Sequence, residues 1–482
     1  MQKARFEKAL LLGLFLLLTF AASALADSTM FRGNPQHTGV YDSPFKYPAQ
    51  KERWRFKTGH LNRSTPAVAD GVVYAGSADG NLYALDAQTG AQKWVFQTPG
   101  EITSSPAVAN GVVYVNNDAG FFAVDAQTGK SVWTFKTGDP VAFTRRWDFY
   151  QSSPVYVDGV LYFGSADSYL YALEAMTGKL LWKFKTEGRV RSSPAVAEGV
   201  IYGGSMDGNL YALDAKTGQL KWKFKTAGDA AFPFGEVQSP TAVADGTVFF
   251  GSRDGFLYAV DIQTGQKKWA FSHEGSWCIT GPAIADGLVF AGSSDGKFVN
   301  ALDAKTGVEK WRFNMPARVF SSPIVAAGRV YFGAWGGEVF WFDAATGKQK
   351  GGAMAEAAVH SSPVPVDGML YFGSDDGYIY AVELAAPKEH HAIKLDPRIL
   401  DLYVGEYTLG PGQVMTVTRE GDKLMAQVPT QKEKVELQPE SESRFFIADA
   451  DAELEFVKDD AGKVTHFVYQ QGGFEMTVKK TK

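Results

Sequence analysis

A chain of 482 residues with 51 glycines and 13% aromatics is long enough for one large domain and a small one. That composition suits many short strands joined by tight turns. A formal net charge of −5 gives no electrostatic footprint for a nucleic-acid partner. A single cysteine, Cys278, excludes an internal disulfide, so stability must come from burial. Beside Trp277 it reads as an apolar filler rather than a nucleophile.

The chain opens with Lys3, Arg5 and Lys8, then an apolar run over 9–22, then small residues at Ala24 and Ala26. This pattern predicts a cleaved secretory signal over 1–26. The apolar run is short for a membrane span, so the mature chain is expected to be extracytoplasmic (periplasmic or secreted) and not membrane-spanning. Residues 27–50 form an N-terminal segment before the first strand.

From residue 51 the sequence repeats. "NLYALDAQTGAQKW" at 81–94 returns as "NLYALDAKTGQLKW" at 209–222. A D/E-x-x-T-G phrase starts at Asp86, Asp125, Glu174, Asp214, Asp261, Asp303 and Asp343. A Trp follows six of them, at Trp94, Trp133, Trp182, Trp222, Trp269 and Trp311, whereas the seventh unit has Gly351 there. A second anchor is Pro66, Pro106, Pro154, Pro194, Pro240, Pro282, Pro323 and Pro363, most often 40 residues apart. Such a period, with several short strands per unit, points to a propeller or a solenoid.

Each unit divides into four strand-like pieces, in the first unit "PAVA", "GVVYAGS", "NLYALD" and "AQKWVFQT". The separators are Asp-Gly and Thr-Gly pairs, which supply the positive φ of tight hairpins, with the Asp86 carboxylate placed to accept turn N–H groups. Four antiparallel strands make a propeller blade. Small residues in "AVA" fit the crowded centre, and near-continuous apolar runs fit blades covered on both faces. The eighth unit reaches "YIYAVEL" at 378–384 and stops, while "KERWRFKTG" at 51–59 is a fourth strand without a blade. Pairing the two closes a ring of eight blades over 51–386 and leaves no open edge. The Trp residues, Trp54 included, are the expected locks between blades, and the Gly351 junction is expected to be the weakest.

The phrase "ALDAKTG-x-x-x-W" resembles the tryptophan-docking motif of pyrroloquinoline quinone (PQQ) repeat propellers. That family includes quinoprotein alcohol dehydrogenases and the outer-membrane assembly lipoprotein of the β-barrel machinery. "MFRGNPQHTGVY" at 30–41 is similar to the opening segment of many members, and the resemblance covers about residues 29–386. It implies the fold; its bearers differ in activity. The dehydrogenases would imply PQQ with calcium. Their adjacent cysteine pair is absent here, since Cys278 has no neighbour, and their calcium ligands and catalytic Asp find no matching motif.

After Leu384 the composition shifts. Residues 387–397 read as a linker, with His390 and His391 solvated rather than metal-bound. Residues 398–482 alternate in polarity as hairpins of a small antiparallel β domain. "LYVGEYTLGPG" and "REGDKLMAQ" resemble the β-rich domain appended to β-lactamase-like serine hydrolases, which carries no catalytic residues. Asp449, Asp451, Glu453 and Glu455 alternate on one strand face and read as solvated rather than as calcium ligands.

The loops leading into each blade should rim a central funnel, through Arg63, Thr103, Gln151, Arg191, Gln238, Thr280, Ser321 and His360. Two of these loops are long: Trp133 lies 21 residues before Pro154 and Trp222 lies 18 before Pro240, against 12 between Trp94 and Pro106. They carry "FTRRWDFY" at 143–150 and "AAFPFGEV" at 230–237 and are the first candidates for a contact surface. The candidate ligand-binding residues are Arg63, Arg145, Arg146, Gln151, Arg191, Gln238, Trp277 and Arg318. A ring of guanidiniums would favour an anion such as PQQ, unless Glu101, Asp139, Asp148, Glu187 or Glu236 neutralise it. Three functions compete. The first, carried furthest, is a non-catalytic propeller that binds a protein or an envelope component, with no cofactor. The second is a PQQ-dependent dehydrogenase. The third is a carbohydrate- or polymer-binding module, suggested by Trp147, Tyr150 and Trp277.

Overall fold

The computed structural model describes residues 28–41, 49–141, 150–228, 235–385, 390–410, 413–428, 434–448, 452–471 and 474–482. The expected signal at 1–26 lies outside the described residues, as do Arg145, Arg146, Trp147 and most of 230–237. Among the described residues, no helix is long and apolar enough to cross a membrane.

Eight four-stranded blades form the larger unit, as the repeat predicts. Blade one is Ala67–Ala69, Val72–Gly76, Asn81–Asp86 and Gln92–Gln97. Its first hairpin turns on Asp70 and Gly71, at φ 49° and 70°, a pair of left-handed residues that matches the twist of the strands. The same turn recurs in every blade, down to Asp367 and Gly368. The third hairpin is held by Asp86, whose Oδ1 accepts from Thr89 N (3.0 Å) and Thr89 Oγ1 (2.9 Å). Burial is the largest single influence and raises the carboxyl, but these bonds and the Lys93 ammonium together outweigh it and hold the group below its ordinary range.

Ring closure follows the sequence expectation. Ala49–Lys57 pairs with Tyr378–Ala385, completing the last blade beside Met369–Gly373 and Val364–Val366. Trp54 stands opposite Ala381 in that pairing and reaches into blade one, donating Nε1–H to the Ala87 carbonyl at 2.9 Å. Its ring lies on Gly90, where an added Cβ would come within 2.7 Å of the indole. Gly90 also has φ +70°, so both turn and indole demand glycine. The other Trp residues repeat this contact, from Trp94 on Ala126 to Trp311 on Ala344.

The seventh blade breaks the pattern differently from expectation. Elsewhere an Ala on the third strand faces the Trp on the fourth, as Ala84 faces Trp94. In blade seven Trp341 faces Gly351. The indole has crossed to the neighbouring strand and is fully buried in one cluster with Val364 and Tyr371 of blade eight. Volume is kept, but the Trp341 Nε1–H has no hydrogen-bond partner among the described residues.

The N-terminal segment takes a course that repeat analysis did not reveal. Residues 28–41 run around the inner edges of the blades. The backbone N–H of Val68, Val108, Val196, Val243, Ile284 and Val325 donates in turn to Ser28, Thr29, Pro35, Gln36, Thr38 and Gly39. Each donor is the middle residue of an innermost strand. Blade eight has Pro365 there, which has no N–H to give. Val40–Tyr41 then adds a parallel strand to Ile324–Ala326. Arg32 is fully buried, donating to the carbonyls of His37, Gly281 and Pro323 at 2.9–3.3 Å and to Pro282. Burial pulls its guanidinium down to about 10.

The C-terminal unit is a closed barrel of eight antiparallel strands, from Gly405–Gly410 to Phe474–Lys480. Tyr407, Val417, Phe445, Phe456, Phe467 and Val478 fill its interior. Asp396 caps the short helix Pro397–Leu400. His390 is not solvated as expected: it stacks on Phe446 at 4.4 Å between centroids, and its Nδ1 lies 3.2 Å from Glu440. Asp449 and Asp451 lie outside the described residues, and Glu455 meets Arg444 at 3.2 Å.

Candidate functional site: the axial chamber

In an antiparallel four-stranded blade, the loop into the first strand and the second hairpin share one face. The residue four positions before each innermost strand turns toward the axis. These residues are Arg63, Thr103, Gln151 and Arg191 from blades one to four, then Gln238, Ile279, Phe320 and His360. They surround a chamber of about 450 Å³ of empty space, counted with its open mouth. Phe31 of the N-terminal segment and Tyr150, at the end of the long loop, complete the lining.

Thr280 and Ser321, expected on this rim, sit one residue too far along. Their hydroxyls turn into the blades instead, Thr280 to Gly292 and Ser321 to Gly333. In these two blades the lining residue is the one before, Ile279 and Phe320, three positions ahead of Pro282 and Pro323 as Arg63 is of Pro66.

One step deeper lies a ring of hydroxyls. Thr65 N donates to Ser105 Oγ, Ser105 N to Ser153 Oγ, and Ser153 N to Ser193 Oγ, at 2.8–3.0 Å. Ser362 N donates to Thr65 Oγ1, and Gly281 N to Ser322 Oγ. Each bond ties a blade to its neighbour, so the ring is both wall and fastening.

The charges here are paired. Arg63 makes a two-pronged contact with Asp375, at 2.9 and 2.7 Å, and both side chains are mostly buried. Arg191 clasps Asp118 likewise, at 2.6 and 3.0 Å. Both carboxylates come from second hairpins, not from the entry-loop acids that the sequence suggested. Arg253, buried behind the wall, directs Nε and Nη2 to the Gln238 carbonyl oxygen at 3.1 and 2.6 Å.

His360 lies between Phe320, stacked at 5.3 Å, and Trp335. Its Nδ1 is 2.6 Å from Tyr150 Oη, and its Nε2 is 3.6 Å from Asp375. Burial pushes the imidazole down to about 4, so it is neutral at physiological pH, and the same burial pushes the Tyr150 phenol up.

Of the eight candidate ligand residues, Arg63, Gln151, Arg191 and Gln238 meet at the chamber. Gln151 accepts from the backbone N–H of Thr103 and Ser104 there. Trp277 stands behind the wall with the Arg253 guanidinium 5.0 Å above its ring. Arg318 lies outside the lining, paired with Asp295 at 2.8 Å. Arg145 and Arg146 lie outside the described residues. The sequence reading missed Phe31 and Asp375. The second was findable, because hairpin tips share the face of the entry loops.

The family described as outer membrane protein assembly factor BamB matches three stretches of the chain, residues 46–148, 145–276 and 271–474. Solved structures of similar fold include BamB from Moraxella catarrhalis, at 18% identity and TM-score 0.59, over 70% of this chain and all of that one. A europium-containing methanol dehydrogenase matches at 16% identity and TM-score 0.63, over 74% and 98% of the two chains. The quinohemoprotein alcohol dehydrogenase from Comamonas testosteroni matches at 16% and 0.63, over 78% and 85%. These likenesses show the fold alone. Penicillin-binding protein 4* of Bacillus subtilis (strain 168) is 34% identical over 97 residues, 20% of this chain. The chain spans about a fifth of that relative's length, 21%.

Proposed function

Because this chain belongs to the family of outer membrane protein assembly factor BamB, we propose that it is a non-catalytic, extracytoplasmic propeller that docks a protein or another envelope component. The observation that carries this reading is the state of the axis. Among the described residues its guanidiniums are matched by carboxylates, and six of its eight inner strands are bonded to the chain's own residues 28–39. The long loops at 139–151 and 229–237 are the recognition elements of this reading. The signal expected at 1–26 supports an extracytoplasmic location.

The quinoprotein alternative rests on the fold shared with the two dehydrogenases. PQQ carries three carboxylates, and a buried site for it needs surplus positive charge. Arg63 and Arg191 each face an Asp in two-pronged geometry, and Cys278 is buried away from the chamber. The described residues of the chamber speak against the group, and we derive no chemical step through it.

Cross-linking in intact envelopes tests the docking role. The wild-type chain is expected to capture a defined protein, and a variant with residues 143–149 replaced by a short Gly-Ser linker, leaving the buried Tyr150 in place, should lose it while keeping its melting temperature. Equal capture by both variants, or recovery of polysaccharide without protein, would contradict the proposal.

A further inference from the structure

We propose that the axial chamber binds a neutral, hydroxyl-rich ligand of monosaccharide size. This goes beyond the docking role and does not depend on it.

The hydroxyl ring supplies the first argument. Ser105, Ser153, Ser193 and Ser322 Oγ and Thr65 Oγ1 each accept a backbone N–H from a neighbouring blade. That bond fixes each oxygen and uses one lone pair. The O–H remains to donate and a second lone pair to accept. A wall of groups that both donate and accept complements a polyol, whose hydroxyls do the same.

Gln238 supplies the second. The side chain is 2% exposed, and among the described residues its Nε2 has no hydrogen-bond partner. Both contacts from Arg253 fall on Oε1, which fixes the amide orientation. A buried amide N–H2 on the chamber lining is left to donate. An unmet buried donor costs about 1–3 kcal/mol, and a ligand oxygen would recover part of that.

Charge and shape select among ligands. Among the described residues, two Arg–Asp pairs and a neutral His360 leave the wall without surplus charge, which penalises an anion that must shed its water. Phe31, Phe320 and Tyr150 offer flat apolar surfaces beside the hydroxyls. Sugar rings combine apolar C–H faces with polar edges in the same way.

The test is calorimetry and saturation-transfer NMR on the mature chain, residues 27–482. The probes are glucose, N-acetylglucosamine, cellobiose and inorganic phosphate. At least one free monosaccharide should bind, and phosphate should not. The disaccharide separates a free sugar from the end of a longer glycan: comparable binding assigns the chamber to a glycan terminus, and weaker binding to the free sugar. Gln238→Glu keeps the shape and the Arg253 contact but removes the donor, and should weaken binding about tenfold, which is about 1.4 kcal/mol. Ser153→Val, which fills the chamber, should weaken it at least as much. No sugar binding by the wild-type chain at about 50 mM, far above the millimolar range of weak sites, would overturn the proposal. So would tighter binding of phosphate, or unchanged affinity in folded variants.

Discussion

Trp341→Ala should lower the unfolding free energy by about 3–5 kcal/mol, the range for deleting a buried indole. It should do so although position 341 carries no repeat signature. Trp341 is fully buried in the cluster that joins blades seven, eight and one. Adding Gly351→Trp to that variant restores the Ala-opposite-Trp arrangement of the other blades, for which Ala301 and Trp311 are the template. The double variant should recover at least half of the loss. The two sites face each other, so their effects are expected to couple strongly rather than add. Denaturant titration of the four proteins in this cycle is the measurement. Additive losses would mean that the two indole positions do not fill one space.

Removing residues 28–57 should abolish the cooperative monomer. The truncation takes away the strand Ala49–Lys57, Trp54 and six inner-edge hydrogen bonds. Tyr378–Ala385 would then become an open edge, which recruits other chains. Light scattering should find oligomers, and the thermal transition should be broad. Removing residues 28–41 alone leaves the ring closed and should give a folded monomer with a lower transition, because Arg32 and its carbonyl contacts are gone. A monomer with an unshifted transition after the longer truncation would show that the ring does not depend on its first strand.

How much of this was legible follows from how local each cause is. The blades are written in turn chemistry, such as Asp70-Gly71 and the Asp86–Thr89 bonds, which a few adjacent residues specify. The closure was legible because an orphan strand and an incomplete unit match in register. The path of residues 28–41 was not, since Arg32 finds its partners about 250 residues away and no periodicity marks it. The same distance hid the Arg63–Asp375 pair, 312 residues apart, and with it the electrostatic balance of the chamber. Trp341 was legible and overlooked: "EVFWFD" places Trp where "NLYALD" places Ala. The rim slipped at Thr280 and Ser321 because they lie two residues before their prolines, whereas Arg63, Thr103, Gln151, Arg191 and His360 lie three before theirs.

A calorimetric titration of the mature chain with PQQ and calcium tests the central claim most directly. The axis described here has its guanidiniums paired and its inner edges filled. No stoichiometric binding is therefore expected at PQQ concentrations of about 100 μM, where a site with a micromolar dissociation constant would be saturated. Tight one-to-one binding would contradict it. The Asp375 and Asp118 pairs would then have to open for an anion, and the chamber would be a quinone site.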